Sequence, residues 1–224
     1  MKKFYLTLLI SLLAGCAPQN SSTNPSFPTA SNTEAESFIS ESVDKFGSKT
    51  NASNTYIDNG FKAYNDNKLA KALDNFNKAK LLDEHNPEVY HGLGSIIYDQ
   101  GDNCRAMETM NKALSLDWGK RVYNRPGFLA DLGMVSSLCA YTSGHQRFGS
   151  QKSLIEASDH HFLQAQSLHA SPYLYDKWWQ ALYWREDYHG AWEKVFRMRE
   201  LGEEPHPILL KQLKEKFPNP SHRN

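Results

Sequence analysis

The chain repeats itself at an interval of 34 residues, and few other features restrict a fold as tightly. Residues 87–120, PEVYHGLGSIIYDQGDNCRAMETMNKALSLDWGK, hold Gly94, Tyr98, Ala106, Ala113 and Asp117; 34 positions earlier stand Gly60, Tyr64, Ala72, Ala79 and Asp83. A period of this size, with small residues at helical spacing, marks a solenoid whose units stack because none can bury its apolar face alone. In the first unit Tyr56, Gly60, Ala63 and Tyr64 share one helix. Leu69, Ala72, Leu73, Phe76, Ala79 and Leu82 form an i, i+3, i+4, i+7 stripe on the next. Gly60 and Ala72 let two helix axes approach closely, while Phe76 and Leu82 fill the space between successive units. Asn65-Asp66-Asn67 and Asp99-Gln100-Gly101-Asp102 are the turns.

These residues and their spacing resemble the tetratricopeptide repeat (TPR) family. The resemblance implies an all-α, TPR-type helix-turn-helix solenoid of about four repeats, over residues 53–86, 87–120, 126–171 and 172–205, with a capping helix and tail over 206–224. Pro87, Pro126 and Pro172 open successive repeats at a first-turn position, where the missing N–H costs nothing. In repeats one and two, 19 residues separate the crossing Gly from the second Ala; from Gly133 to Ala165 the separation is 32, so repeat three carries 13 extra residues, placed near 142–153. Its second helix is expected from Leu154 to His169, with Ser158, Phe162 and Ala165 facing inward. Repeat four places Tyr175, Trp178, Trp179 and Leu182 on its first helix and Tyr188, Ala191 and Val195 on its second; Trp179 stands where the family has Gly or Ala. Pro207 to Phe217 reads as the cap, with Leu209, Leu210, Leu213 and Phe217 inward and Lys211, Lys214 and Lys216 outward.

The N-terminus carries a second resemblance. Met1-Lys2-Lys3, the apolar run Phe4 to Leu13 and the small-residue ending have the form of a secretory signal, and the run is too short to span a bilayer. Leu13-Ala14-Gly15-Cys16 resembles the bacterial lipoprotein signal, which implies a signal peptide over 1–15 and acylation of Cys16. Several acyl chains anchor stably where one, at about 0.8 kcal/mol per buried methylene, is marginal. Ala17 after the cysteine implies the outer membrane, with the protein facing the periplasm. Residues 16–52 are expected to form a flexible tether, rich in Ser, Thr, Asn and Pro, which cannot offset its ordering entropy. About 35 such residues reach roughly 30 Å. Within them Glu34 to Phe46 carries Phe38, Ile39, Val43 and Phe46 on one side of a short amphipathic helix.

With Cys16 lipidated, Cys104 and Cys139 remain. The repeat alignment puts Cys104 at the start of one helix and Cys139 at the end of its neighbour, so the two either form a disulfide in an oxidising compartment or stand as small buried thiols. His160 and His161 with Asp159 and His169 lack a metal-binding spacing, and no GxSxG, P-loop or Rossmann glycine pattern occurs. No cofactor, metal or catalytic residue is expected. The chain has 25 basic and 25 acidic residues; this balance gives no electrostatic reason to expect nucleic acid.

By resemblance, a groove along the first helices is the binding face, here lined by Phe61, Tyr64, His91, Tyr98, Tyr173, Tyr183 and Trp184. Tyrosines offer apolar area with a polar tip, which suits capture of a protein or peptide segment; the alternative is that they support helix packing. The basic and Asn pattern with which TPR modules clamp a terminal carboxylate is absent. The expectation is a non-enzymatic adaptor in assembly or localisation of a cell-envelope complex. The alternatives are a self-assembling structural lipoprotein, active as a homodimer, and a ligand-binding or enzymatic protein using His145, Arg147 and His160 of repeat three.

Overall fold

A computed structural model describes residues 32–220, so the signal peptide, Cys16 and the tether to residue 31 lie outside the described residues. Among the described residues all regular structure is helical, in keeping with the all-α expectation. The elements are α1 (Asn32–Phe46), α2 (Lys49–Asn65), α3 (Leu69–Leu82), α4 (Pro87–Asp99), α5 (Asn103–Asn111), α6 (Arg125–Cys139), α7 (Gln151–Leu168), α8 (Pro172–Trp184), α9 (Tyr188–Glu200) and α10 (Pro207–Lys216). Short 3-10 turns occupy Gly119–Asn124 and His145–Arg147. None of these helices is long and apolar enough to cross a membrane.

More than half of the expected tether, residues 32–52, lies in two helices and the turn between them. Residues 32–46 are α1, and α2 begins at Lys49, capped by the Ser48 side chain accepting from the Asn51 N–H. The amphipathic helix expected over Glu34 to Phe46 is α1, and its apolar residues are spent on one contact. Phe38 and Phe46 lie 5.7 and 6.0 Å from the Tyr56 ring, and Ala52 is fully buried beneath them in α2.

Three inter-helix turns are built alike. In each, a residue with positive φ stands seven positions after the crossing residue: Asn67 at 57°, Gly101 at 87° and Glu186 at 63°. Its N–H donates to the carbonyl of the tyrosine three residues back (Tyr64, Tyr98, Tyr183), and the next N–H donates to the residue before that tyrosine (Ala63, Ile97, Leu182). Six helix-end carbonyls are thereby satisfied by one device used three times. The pair α6 and α7 breaks the pattern, as the extra residues require. Its connection runs through Gly144 at φ 84° and a 3-10 turn, and α7 starts at Gln151, three residues earlier than expected, because Ser150 caps it by accepting from the Ser153 N–H.

Packing between pairs rests on reciprocal sizes. The Phe76 ring of α3 fills the space a Cβ would occupy at both Gly60 of α2 and Gly92 of α4, at 2.5 and 2.3 Å, so one ring joins the first pair to the second. Phe162 stands over Gly133 in the same manner. In the last pair the sizes are exchanged: Trp179 replaces the glycine, and the residue 16 positions on, where Phe76 stands in the first pair, is Val195. Both are buried to within 1%, and the indole N–H of Trp179 donates to Asp176 Oδ1 at 3.0 Å.

Two polar anchors set the longer connections. Glu88, fully buried at the start of α4, accepts from Arg121 and from Asn124 Nδ2 at 2.6 Å, while Arg121 also reaches Asp58 at 2.7 Å. The 3-10 turn at Gly119–Asn124 is thus tied to α4 and α2. Arg185, at the end of α8, donates to Ser137 of α6 (2.8 Å) and to Ser158 and Asp159 of α7 (2.6 Å to Asp159). Ser137 holds the place that Tyr64 and Tyr98 hold in their pairs, so the small residue leaves room for the guanidinium. Cys104 and Cys139 are bonded, with Cα atoms 4.7 Å apart, joining α5 to the end of α6. At the C-terminus Leu210 and Leu213 of α10 enter the core, Lys211, Lys214 and Lys216 face outward, and Trp192 Nε1 donates to the Phe217 carbonyl at 3.0 Å.

Candidate functional site

The first helix of each pair, α2, α4, α6 and α8, packs on the next of the series, so side chains from all four meet on one shared face. Phe61, Tyr64, His91, Tyr98 and Tyr173 come together there. The His91 ring sits between Phe61 (5.2 Å) and Phe128 (5.4 Å), and its Nε2 lies 2.9 Å from Asp131 Oδ2. The Tyr173 hydroxyl donates to Asp131 Oδ1 at 2.5 Å, and the Lys177 ammonium lies 3.5 Å from the same oxygen and 5.2 Å from the Tyr173 ring. On the far side of Lys177, the Tyr64 hydroxyl donates to the Asp99 carboxylate. Tyr98 stands between, close enough to sense Lys177, Asp131 and Asp99.

The electrostatics follow from this enclosure. Burial alone would raise the Asp131 carboxyl, but the Lys177 ammonium and the hydrogen bonds from His91 and Tyr173 outweigh it and bring it down to about 2. Burial pulls the Lys177 ammonium down; Tyr173, Asp131, Tyr98 and Asp176 more than reverse this and hold it well above its ordinary value. Burial, the charge of Asp99 and the hydrogen bond to it drive the Tyr64 hydroxyl well up, and burial raises Tyr98 and, with Asp131, Tyr173. Asp99 is raised by burial, against the hydrogen bond from Tyr64 and the charge of Lys177. A carboxylate already accepting from three donors is a poor general base, and a lysine held charged is a poor nucleophile. The network is suited to holding a shape and presenting charge.

Tyr183 and Trp184 do not join this cluster. Tyr183 packs 5.5 Å from Trp184 and 5.8 Å from Tyr188, and with Ile208, Leu209, Gln212, Glu215 and Lys216 these two residues line a separate groove of about 270 Å³ against α10. The single groove expected from the repeat register is therefore two surfaces. The registers of Tyr64, Tyr98 and Tyr183 agree, but α10 packs beside the last of them as a terminal helix. Of the repeat-three residues considered for ligand chemistry, His145 turns its Nδ1 to the Thr142 carbonyl at 3.1 Å, Arg147 is exposed, and the exposed His160 has its ring 6.0 Å from that of His161. Among the described residues no group of three or more His, Cys, Asp or Glu converges as a metal site would require.

Asp99, Asp131 and Lys177 escaped the sequence reading. Asp58, Gly92, Asp131 and Lys177 each stand two residues before a crossing position, but the four differ in type, so the shared position carries no repeated residue. No protein-family model matches the chain, and no curated protein is significantly similar to it, so the reading of its role rests on its own residues.

Proposed function

We propose that this protein is a TPR-type solenoid adaptor, anchored through an acylated Cys16 in a bacterial outer membrane and facing the periplasm, which captures a protein segment in the assembly or localisation of an envelope complex. The observation that carries the reading is the convergence of Phe61, Tyr64, His91, Tyr98 and Tyr173, from three separate helices, on one face around a single polar network. Amphipathic rings fixed from beneath by Asp131 and Lys177 offer contact area at low entropic cost, since their rotamers are already set. The Cys104–Cys139 bond suits an oxidising compartment. The 34-residue period and the turn hydrogen bonds repeated after Tyr64, Tyr98 and Tyr183 support the solenoid reading.

Crosslinked capture from native envelopes tests it, comparing the wild-type protein with a Tyr64→Ala, Tyr98→Ala variant of unchanged circular dichroism. One protein captured by the wild type and lost by the variant is expected; the same partner retained would remove the shared face as the binding surface. Cys16→Ser is expected to shift the protein from the membrane fraction to the soluble one, and unchanged fractionation would refute the anchor.

A further inference from the structure

The polar network is balanced on one side only. Lys177 and His91 both lie against Asp131 at ion-pair distance, whereas among the described residues Asp99 has no ion-pair partner. Both cationic partners face Asp131, so of the two carboxylates of the network Asp99 is the one left without an ion pair. We propose that the Asp99 carboxylate, flanked by the Tyr64 and Tyr98 rings, receives a cationic side chain, a guanidinium or ammonium borne on an extended partner segment. This rests on the reading of the shared face as a partner-binding surface and assigns the chemistry that it selects.

Three independent features point the same way. Asp99 is the last residue of α4, at the negative end of the helix dipole, and the last turn of α4 has no basic residue. An aspartate there opposes the helix dipole, and a cation docked against it would be favoured by the carboxylate and by the dipole together. The acceptor capacity is also unfilled: a carboxylate has about four lone-pair sites, the Tyr64 hydroxyl uses one, and Asp99 is otherwise exposed. Finally, Tyr64 and Tyr98 are half-buried at the same position of successive first helices, so they stand as neighbours beside that carboxylate. Aromatic faces within about 6 Å of a cation add attraction that water does not supply.

The test uses the protein with ring-labelled tyrosines and two synthetic peptides, acetyl-Ala-Leu-Ala-Arg-Ala-Leu-Ala-amide and its counterpart with uncharged citrulline in place of arginine. In NMR titrations the arginine peptide is expected to shift the Tyr64 and Tyr98 ring signals, assigned by Tyr→Phe variants, and to bind about fivefold or more tightly than the citrulline peptide. Asp99→Asn, which keeps an acceptor for Tyr64, is expected to abolish that preference while leaving the Tyr173 signal in place, which shows the face intact. If both peptides bind alike, or if Asp99→Asn retains the preference, the charge assignment is overturned while partner binding on this face stands. If neither peptide moves a tyrosine signal, the assignment is again overturned, and the envelope capture decides the adaptor reading by itself.

Discussion

Asp131 concentrates the physical chemistry of the shared face in one side chain. It is 16% exposed and accepts from Tyr173, His91 and Lys177, three groups on two other helices, so its charge is worth more folded than unfolded. Its folded value of about 2 lies below the ordinary 3.9 or so of an aspartate. The ionised form therefore adds stability that is fully present above about pH 4 and is lost as pH falls through the interval down to about 2. The shift corresponds to about 2 kcal/mol. In urea unfolding between pH 5 and pH 2, the wild type should lose about that much more stability than Asp131→Asn, and parallel curves for the two would contradict this role. At this scale the tyrosines were legible because Tyr64 and Tyr98 recur at the period. Asp131 and Lys177 share a row but differ in type, so no repetition advertises them.

Among elements, the seam between the first two helix pairs is the most exacting. Replacing a mid-helix glycine by alanine ordinarily stabilises by about 1 kcal/mol, through backbone entropy. At Gly92 the new Cβ would stand 2.3 Å from the Phe76 ring, which is itself closed in by Gly60 on the other side. The ring has no room to retreat, so overpacking of about 1–3 kcal/mol should exceed the propensity gain. Thermal denaturation should show Gly92→Ala destabilised, with Gly92→Ala, Phe76→Leu recovering part of the loss; a stabilised single variant would mean that the seam can open. Gly60 and Ala72 were readable from the sequence as a close crossing, and Phe76 as a filler between successive units. The second glycine contact, across to α4, required the pairs to be stacked.

For the whole molecule, the apolar core divides in two: a small cluster around Ile57, Phe76, Val89 and Ile96, and a larger one from Cys104 to Leu213. The Cys104–Cys139 bond lies within the larger cluster and closes a loop of 35 residues across the α5–α6 boundary. A constraint of that length lowers unfolded-chain entropy by an amount worth about 3–4 kcal/mol. Cys104→Ala, Cys139→Ala is expected to lose a comparable amount in urea unfolding and to become insensitive to reductant, whereas the wild type weakens under reductant toward the variant. Equal stability of oxidised and reduced wild type would show that the bond adds nothing.

The sequence by itself determined that the chain is all-helical, because the helical spacing of its apolar residues depends on positions a few residues apart and the 34-residue period displays it more than once. That Trp179 stands where the family has Gly or Ala was also visible. Only the tertiary structure decided that Tyr183 and Trp184 line a separate groove, and that Asp99, Asp131 and Lys177 meet Tyr64, Tyr98 and Tyr173 on one face. Those outcomes depend on how successive pairs are stacked, and the contacts that set the stacking join side chains as far apart in the chain as His91 and Asp131, 40 residues, where no local spacing rule applies.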